Sequence, residues 1–592
     1  MKNKRQWIIG IVGAIIVILA GIVWYLGQHW KSIIQTKLEE SVRTSTKGLY
    51  KLSYDSMELN LLSGSIALKN IELLSDSAVY RTQVQRREAP DNRIHVKLKS
   101  LNISGVGVWS ALVAKKLHMR EIAFDHVDVH LITESHDYSQ SHDSIAVPLH
   151  ERIKDMFHTV HIQRSTIDNL NLKLSNMQNG RLDTTSIDRI RVRLDDIIID
   201  ENGHRDTTRM VYTKEIEVEI PEFVYDIPNS VYKISFDRCI VNTRQQQALL
   251  TKVALHPRIT KQKYFETDKQ NKAMIVLKWD TLRLEKLNLQ DMLDNQRIFA
   301  QYAYLMGGSA SFHKDKRYQE DNVNKIGQAP HQQVMKMGQT IRFDTVFVDN
   351  TDVSYHEYSG EYDREGSISF EHAKGTITNL TNDTVQLSKD RFMRADLQAR
   401  VMGSGRLHAR FGFDMLSKVG SHTYAGTLGS MQASAFNRIL TPLRNLEFSS
   451  GNIHGIRFDM QATDYMTRGK FRFDYDEMKI DLLHAPKDDT EQSKKGVLSF
   501  LVNAILIRDS NPDADKVYLV GNVEHTRVPE YSHFKTIWKS LEQGIFQCVG
   551  IGKGAERETK ETDKKPEEDS ESKNFLKKTG DFFRGLFKKE DD

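Results

Sequence analysis

The residues best spaced for metal chemistry are His126, Asp128 and His130 in "DHVDVHL". At i, i+2 and i+4 a β-strand presents all three on one face, and imidazole with carboxylate is a zinc-type donor set. The wet face of any alternating strand offers the same spacing. His95, Lys97 and Lys99 repeat it without ligand chemistry, and His136 and His142 in "ESHDYSQSHD" add only loop imidazoles. No metal and no cofactor are expected. Nucleophile, phosphate-loop and zinc-hydrolase signatures are missing: there is no Gly-x-Ser-x-Gly, no Gly-Lys-Ser/Thr and no His-Glu-x-x-His. "GIGKG" (550–554) follows a helical pattern instead of opening one, so it reads as a helix stop. "SGVGVW" lacks the third glycine of a dinucleotide fingerprint. Carboxylates are spread over the polar positions, so no acid–base pair stands out. The expectation is a protein that is not an enzyme.

Bulk composition narrows the class further. The 83 Lys+Arg nearly balance 79 Asp+Glu, leaving a net charge of +4, so the chain lacks the basic field of a nucleic-acid binder. Its two cysteines, Cys239 and Cys548, sit in no ligand-spaced motif and exclude a disulfide framework. With 39% hydrophobic residues the chain has enough apolar content to build a core.

The elements that carry these residues are overwhelmingly strands. "IHVKLKSLNISG" puts Ile94, Val96 and Leu98 on one face, and "FDHVDVHLI" does the same with Val127, Val129 and Leu131. "IRVRL" aligns Ile190, Val192 and Leu194, "IEVEI" aligns Ile216 and Val218, and "FRFDY" aligns Phe471 and Phe473. Such alternation buries one face and wets the other. An α/β protein would instead interleave helices with wholly apolar strands. The fold class is therefore mostly β, with about 25–30 strands and a sheet roughly 120–145 Å long at about 4.8 Å per strand. "YKLSYDSMELNLLSGSIALKNIELLSD" predicts a hairpin turning at Ser63-Gly64. Short helices are predicted at 109–117, 289–302 and 433–445, the last ending near Pro442. Polar segments at 134–143, 313–339 and 484–495 read as mobile excursions from the sheet. No fixed repeat period is evident.

The ends differ from the middle. Lys2, Lys4 and Arg5 precede the uncharged run 8–26, long enough for a hydrocarbon core of about 30 Å. Trp24, Tyr25 and Trp30 cluster at its far end, as in an interfacial belt. A cleaved signal peptide is the rival reading, but bulky residues continue past Ala20. The resulting division is a cytoplasmic stub and transmembrane anchor (1–30), a membrane-proximal helix (31–50), the β region (51–525) and an amphipathic helix (526–550). A charged linker (551–572) and a basic amphipathic tail (573–592) follow. In 526–550 the apolar stripe is Phe534, Ile537, Trp538, Leu541 and Ile545. In the tail, Phe575, Leu576, Phe582, Phe583, Leu586 and Phe587 share a face edged by lysines and Arg584. That pattern reads as an interfacial membrane helix, the six residues being its membrane contact, with docking on a partner or on the protein's own sheet as the alternative.

"SSGNIHGIRFDM" followed by "RGKFRFDYDEMKIDL", with the anchor, the "MELNLLSGSIALKNIEL" hairpin and "LHMREIAFDHVDVHLI" upstream, resembles the AsmA-like family of envelope proteins. The departures are the polar insert at 313–339 and the detached tail. The resemblance implies an elongated, twisted antiparallel sheet folded like a taco around an apolar groove. It also implies a role in phospholipid movement or outer-membrane assembly. The expected location is the inner membrane, crossed once, with the bulk of the chain in the periplasm. A mostly one-faced sheet also implies a ligand or partner by itself, because exposed apolar surface is costly. Behind an anchor, acyl chains suit it. The expected groove lining is Ile94, Val96, Leu98, Val127, Val129, Leu131, Ile190, Val192, Leu194, Ile216, Val218, Phe471 and Phe473. The expected partners are phospholipid or another acyl lipid, the inner membrane, and an outer membrane or envelope protein at the tail. The alternative is a tethered scaffold whose apolar face is filled by another envelope protein.

Overall fold

In the computed structural model the described residues are 42–44, 46–60, 63–138, 149–178, 181–203, 205–206, 208–268, 272–318, 323–483, 508–551 and 554–558. The expected anchor, most of the membrane-proximal helix, the charged linker beyond residue 558, the basic tail and the polar segment 484–495 lie outside them. Among the described residues no helix is long and apolar enough to cross a membrane.

Among the described residues the alternating runs form a large, twisted mixed sheet of 24 strands. In chain order these are β1 (Tyr50–Ser53), β2 (Ser56–Asn60), β3 (Ser65–Ser75), β4 (Asn92–Ser104), β5 (Lys116–Glu134), β6 (Thr159–Gln178), β7 (Arg181–Ile199) and β8 (Thr213–Ile220). Then come β9 (Phe223–Asp226), β10 (Tyr232–Phe236), β11 (Arg238–Asn242), β12 (Gln247–Pro257), β13 (Met274–Glu285), β14 (Ile298–Asp315), β15 (Ile341–Tyr358) and β16 (Glu365–Thr381). The last eight are β17 (Phe392–Val401), β18 (Gly405–Asp414), β19 (His422–Leu428), β20 (Met431–Gln432), β21 (Leu446–Ala462), β22 (Met466–Leu482), β23 (Tyr518–Thr526) and β24 (Ala555–Glu558). The helices are α1 (Ser77–Gln85), α2 (Val108–Ala114), α3 (Leu149–Ile153), α4 (Lys261–Thr267), α5 (Leu289–Asn295), α6 (Pro330–Met335), α7 (Thr384–Leu387), α8 (Asn437–Arg444) and α9 (His533–Cys548). Two compact units result: 1–225 with 235–252 and 283–297, and 226–234 with 253–282 and 298–592.

The sheet is not purely antiparallel. β5 and β6 run parallel, as do β14 and β15. Parallel neighbours need a crossover connection, and the polar segments 134–143 and 313–339 fall in those two connections. The second of them begins as the last residues of β14, carries α6, and buries His331 at 1% exposure. It is part of the structure of its unit. The short helices are also trimmed. The predicted 109–117 is α2, which stops at a left-handed Lys115 before β5 begins. The predicted 289–302 is helical only through Asn295, with left-handed Gln296 releasing the chain into β14. The predicted 433–445 opens as a 3-10 turn (Ala433–Phe436) and keeps Pro442 inside α8. The Ser63-Gly64 hairpin forms as expected, with Asn60 opposite Ser65.

One recurrent device escaped the period-two reading. Asn70, His126, Asn169 and Arg189 all have positive φ, between 50° and 58°, in the interiors of β3, β5, β6 and β7. Each is the third residue of an apolar-x-x-apolar tetrapeptide: "LKNI", "FDHV", "IDNL" and "IDRI". The register brackets them into a row. Lys69 pairs Ser100 and Ile71 pairs Leu98, Leu98 pairs Val127, and Asp125 and Val127 pair Asp168 and Leu170. A residue in this conformation adds one to the strand and bends it. Side-chain phase then slips by one, so Phe124 and Val127, or Ile167 and Leu170, stay on the same face. The same tetrapeptide recurs in the second unit as "FEHA" and "YDEM", with positive φ at His372 and Glu477, and "VDNT" repeats the positive φ at Asn350 with a threonine in the last place.

The cores follow from this phasing. In the first unit, α2, α3 and the residues around Phe157 pack on Leu117, Met119, Val160, Ile162, Ile197 and Ile199. In the second, α9 lies on β22 and β23. It approaches through small residues, because a Cβ on Gly544 would stand 2.5 Å from Phe471 Cγ. The buried stripe is therefore Thr536, Ser540, Gly544 and Gln547, with Ile537, Leu541 and Ile545 beside it. Phe534 and Trp538, expected in that stripe, are instead 64% and 41% exposed.

Candidate functional site, an aliphatic sheet face

The first unit gathers its expected groove residues into one contiguous patch. Ile94 faces Leu131, Val96 faces Val129, and Leu98 faces Val127 across β4 and β5. Val127, Val129 and Leu131 then stand beside Leu170, Leu172 and Leu174 on β6. Leu170 is opposite Ile190, and Ile167 is opposite Val192 on β7. Val192 and Leu194 meet Val218 and Ile216 on β8. The patch continues onto β11, where Val241 faces Val218. Directly opposed residues share a face, so this register makes one aliphatic surface from separate sequence runs.

Its burial is graded. Ile94, Leu98, Val127 and Ile190 are buried at 5–8% exposure. Val96, Val129, Leu131, Val192, Leu194, Ile216 and Val218 are only half-buried. The residues offer no hydrogen-bonding side chains, so whatever meets them is held by nondirectional burial, about 25 cal/mol per Å².

The opposite face is wet and ion-paired. Lys97 reaches Glu72 at 2.9 Å, Arg191 reaches Glu219 at 2.8 Å, and Arg193 reaches Asp195 at 3.0 Å. Exposed pairs of this kind contribute little stability, but they keep the face in water. His95 and His130 stand edge to face at 6.0 Å, and burial, followed by nearby cations, lowers both their pKa values.

The His126–Asp128–His130 set does not converge. His126 is the left-handed bulge residue and turns to Asp125 Oδ1 at 2.6 Å. Asp128 Oδ1 accepts from Asn171 at 2.8 Å, and His130 Nε2 pairs with Ser175 Oγ at 3.0 Å. The one-face reading failed because one residue of positive φ rotates the phase between His126 and Asp128.

In the second unit Phe471 and Phe473 are 1% and 5% exposed in the core under α9. They pair with Phe458 and Ile456, while Ile453 pairs Tyr475 across a register shift beside Gly455. The six tail residues, Phe575, Leu576, Phe582, Phe583, Leu586 and Phe587, lie outside the described residues. Both cysteines are buried, with burial pushing the thiols up to about 11 for Cys239 and about 12 for Cys548. Neither is a thiolate near neutrality.

Two histidine clusters were missed, because their members come from distant segments. His331, His422 and His533 bring α6, β19 and the start of α9 together, with His422 and His533 ring centroids 4.7 Å apart. His313, His356 and Glu365 meet at the ends of β14, β15 and β16. No protein-family model matches the chain, and no curated protein matches it in sequence.

Proposed function

We propose that the chain is a membrane-anchored, AsmA-like envelope protein whose aliphatic sheet face binds phospholipid or another acyl lipid and lets it slide. The observation that carries this reading is the contiguous patch from Val96 and Val129 to Val192 and Val218, half-buried and backed by an ion-paired face. An acyl chain laid along such a surface gains about 0.8 kcal/mol for each buried CH₂. Aliphatic neighbours of similar size give a flat energy profile along the patch, so movement needs no reacting group. In this reading residues 8–26 hold the protein in the inner membrane, and the sheet works in the periplasm. The Phe-rich tail then reaches a membrane or an envelope partner.

The test uses a photo-crosslinking amino acid in cells, placed at Val192 on the aliphatic face or at Arg193 on the wet face. Mass spectrometry should find lipid adducts at Val192 and none at Arg193. Equal lipid adducts at both positions, or none at either, refute the reading. Protein adducts at Val192 favour a scaffold instead.

A further inference from the structure

We propose that His313, His356 and Glu365 form a binding site for one zinc-class divalent cation. His313 and His356 are direct partners in the parallel β14–β15 pair, so their imidazoles stack with centroids 4.7 Å apart and planes 17° apart. Glu365 opens β16, whose second ladder residue, Gly366, pairs Glu357 beside His356. One donor atom from each of the three residues lies within 4.8 Å of the other two. A tetrahedral zinc ion with bonds of about 2.0–2.1 Å holds its donors about 3.3 Å apart, a closure within reach of side-chain torsions.

The hydrogen bonds leave the right atoms bare. Ser354 Oγ donates to Ser311 Oγ at 3.0 Å, so its oxygen accepts from His356 Nε2 at 3.1 Å. In the Nε2–H tautomer, Nδ1 of His356 carries the lone pair, and it faces Glu365 Oε1 at 3.5 Å. Two acceptors face one another there, an arrangement a cation between them relieves. Nδ1 of His313 is buried and has no hydrogen-bond partner. Burial, above all, lowers both histidine pKa values, that of His313 to about 4, so both rings are neutral ligands near neutrality. Glu365 is exposed and the imidazoles are half-buried, which gives an ion a way in.

Two imidazoles and one carboxylate suit zinc, cobalt or nickel better than calcium or magnesium, which prefer all-oxygen shells. Three protein ligands leave a fourth position to water. Lys261, at the start of α4, now supplies the positive charge: its Nζ lies 3.0 and 3.1 Å from the two Glu365 oxygens. Its long side chain competes with the ion and swings away when the ion binds.

The test is titration of the chelator-stripped full chain with Co²⁺ and Zn²⁺, read by Co²⁺ visible absorption and by competition with a colorimetric chelator. Far-UV circular dichroism serves as a check of folding. The protein has 22 histidines, so the readout is the equivalent lost or gained between variants. H313A and H356A should each weaken binding of one equivalent by about tenfold or more. K261M, which keeps the length of the half-buried side chain and removes only its charge, should tighten the same equivalent by about tenfold. Unchanged stoichiometry and affinity in the H313A/H356A double variant overturn the proposal. So does a K261M variant that binds no more tightly than the natural protein.

Discussion

Acidification should open the second unit at one place. His331 and His533 are 1% and 6% exposed, and neither ring nitrogen of His331 has a hydrogen-bond partner. His422 donates through Nδ1 to the Gly420 carbonyl at 2.8 Å. Burial is the largest cause of lowered basicity in all three, and it takes His331 to about 4 and His533 to about 3 from an ordinary 6.5. His422 opposes the charge on both, His331 and Arg527 add to the effect on His533, and only Asp464 and Asp414 favour a proton on His331. A depressed folded-state value means that the closed state is fully favoured above pH 6.5. It loses ground as pH falls, because the opened state binds the protons. Each group costs about 1.4 kcal/mol per pH unit below 6.5, continuing to about pH 4 for His331 and about pH 3 for His533. At pH 5 the two together favour opening by a few kcal/mol, on the order of 2–4 kcal/mol. The affected segments are 323–338 and the first turns of α9, which the Asp464–Arg527 ion pair at 3.1 Å and the Lys325–Pro529 backbone bond also tie together. Hydrogen exchange at pH 7.5 and pH 5, corrected for intrinsic rates, should show this loss in peptides spanning 325–337 and 531–541 and not in 394–401. H331F keeps the ring stacked on Phe413 and should remove a substantial part of the pH dependence, leaving the share of His422 and His533. Equal opening free energies at the two pH values, or an unchanged slope in H331F, would refute the account.

Two further outcomes test the fold. Asn169→Val should cost about 1–2 kcal/mol in urea denaturation, because a β-branched residue resists a φ of 56°, whereas Asn169→Gly should keep or raise stability. Equal effects would remove the left-handed bulge from the argument. Gly544→Ala should lower stability by about 1–3 kcal/mol despite alanine's better helix propensity, since its Cβ meets Phe471 at 2.5 Å. A more stable variant would show that α9 does not depend on that close approach.

Alternation made most of the strands legible, and the aliphatic patch of the first unit came with them. "IHVKL", "HVDVHL", "IRVRL" and "IEVEI" state their faces outright, and direct pairing brings those faces together. Strand direction was not legible. Whether β6 runs with β5 depends on where a polar connection returns the chain, and such a connection carries no hydrophobic period. The aromatic run "FRFDY" reads like an open wall, yet it is covered because Gly544, far away in sequence, allows a helix to sit on Phe471. The histidine clusters were hidden for the same reason: His331, His422 and His533 share no local pattern. One signal was present and unread. The tetrapeptides "LKNI", "FDHV", "IDNL" and "IDRI" each break period two in the same way, with two polar residues between apolar ones.

That repeated break bears on function. β6 is 20 residues long and β5 and β7 are 19 each, so each would climb more than about 60 Å if straight. Bulges bend such strands, but an uncorrected extra residue would throw every later side chain to the wet face. In "STIDNLNLKL" the pattern changes at the bulge: Ser165 and Ile167 point inward before Asn169, and Leu170, Leu172 and Leu174 do so after it. The correction appears in neighbouring strands at matching register positions, on β5 at His126 and on β6 at Asn169. The aliphatic face runs on across the bend: Leu98, Val127 and Ile190 are buried just beyond it, and Val96, Val129 and Leu131 are half-buried further along. Half-buried members of that face occur on both sides of the bend, and they gain only part of the folding energy of a core residue because they remain partly in water. In the proposed reading, an acyl ligand that runs past the bend would recover part of the bulges' cost, which ties the bulge row to the proposed lipid path.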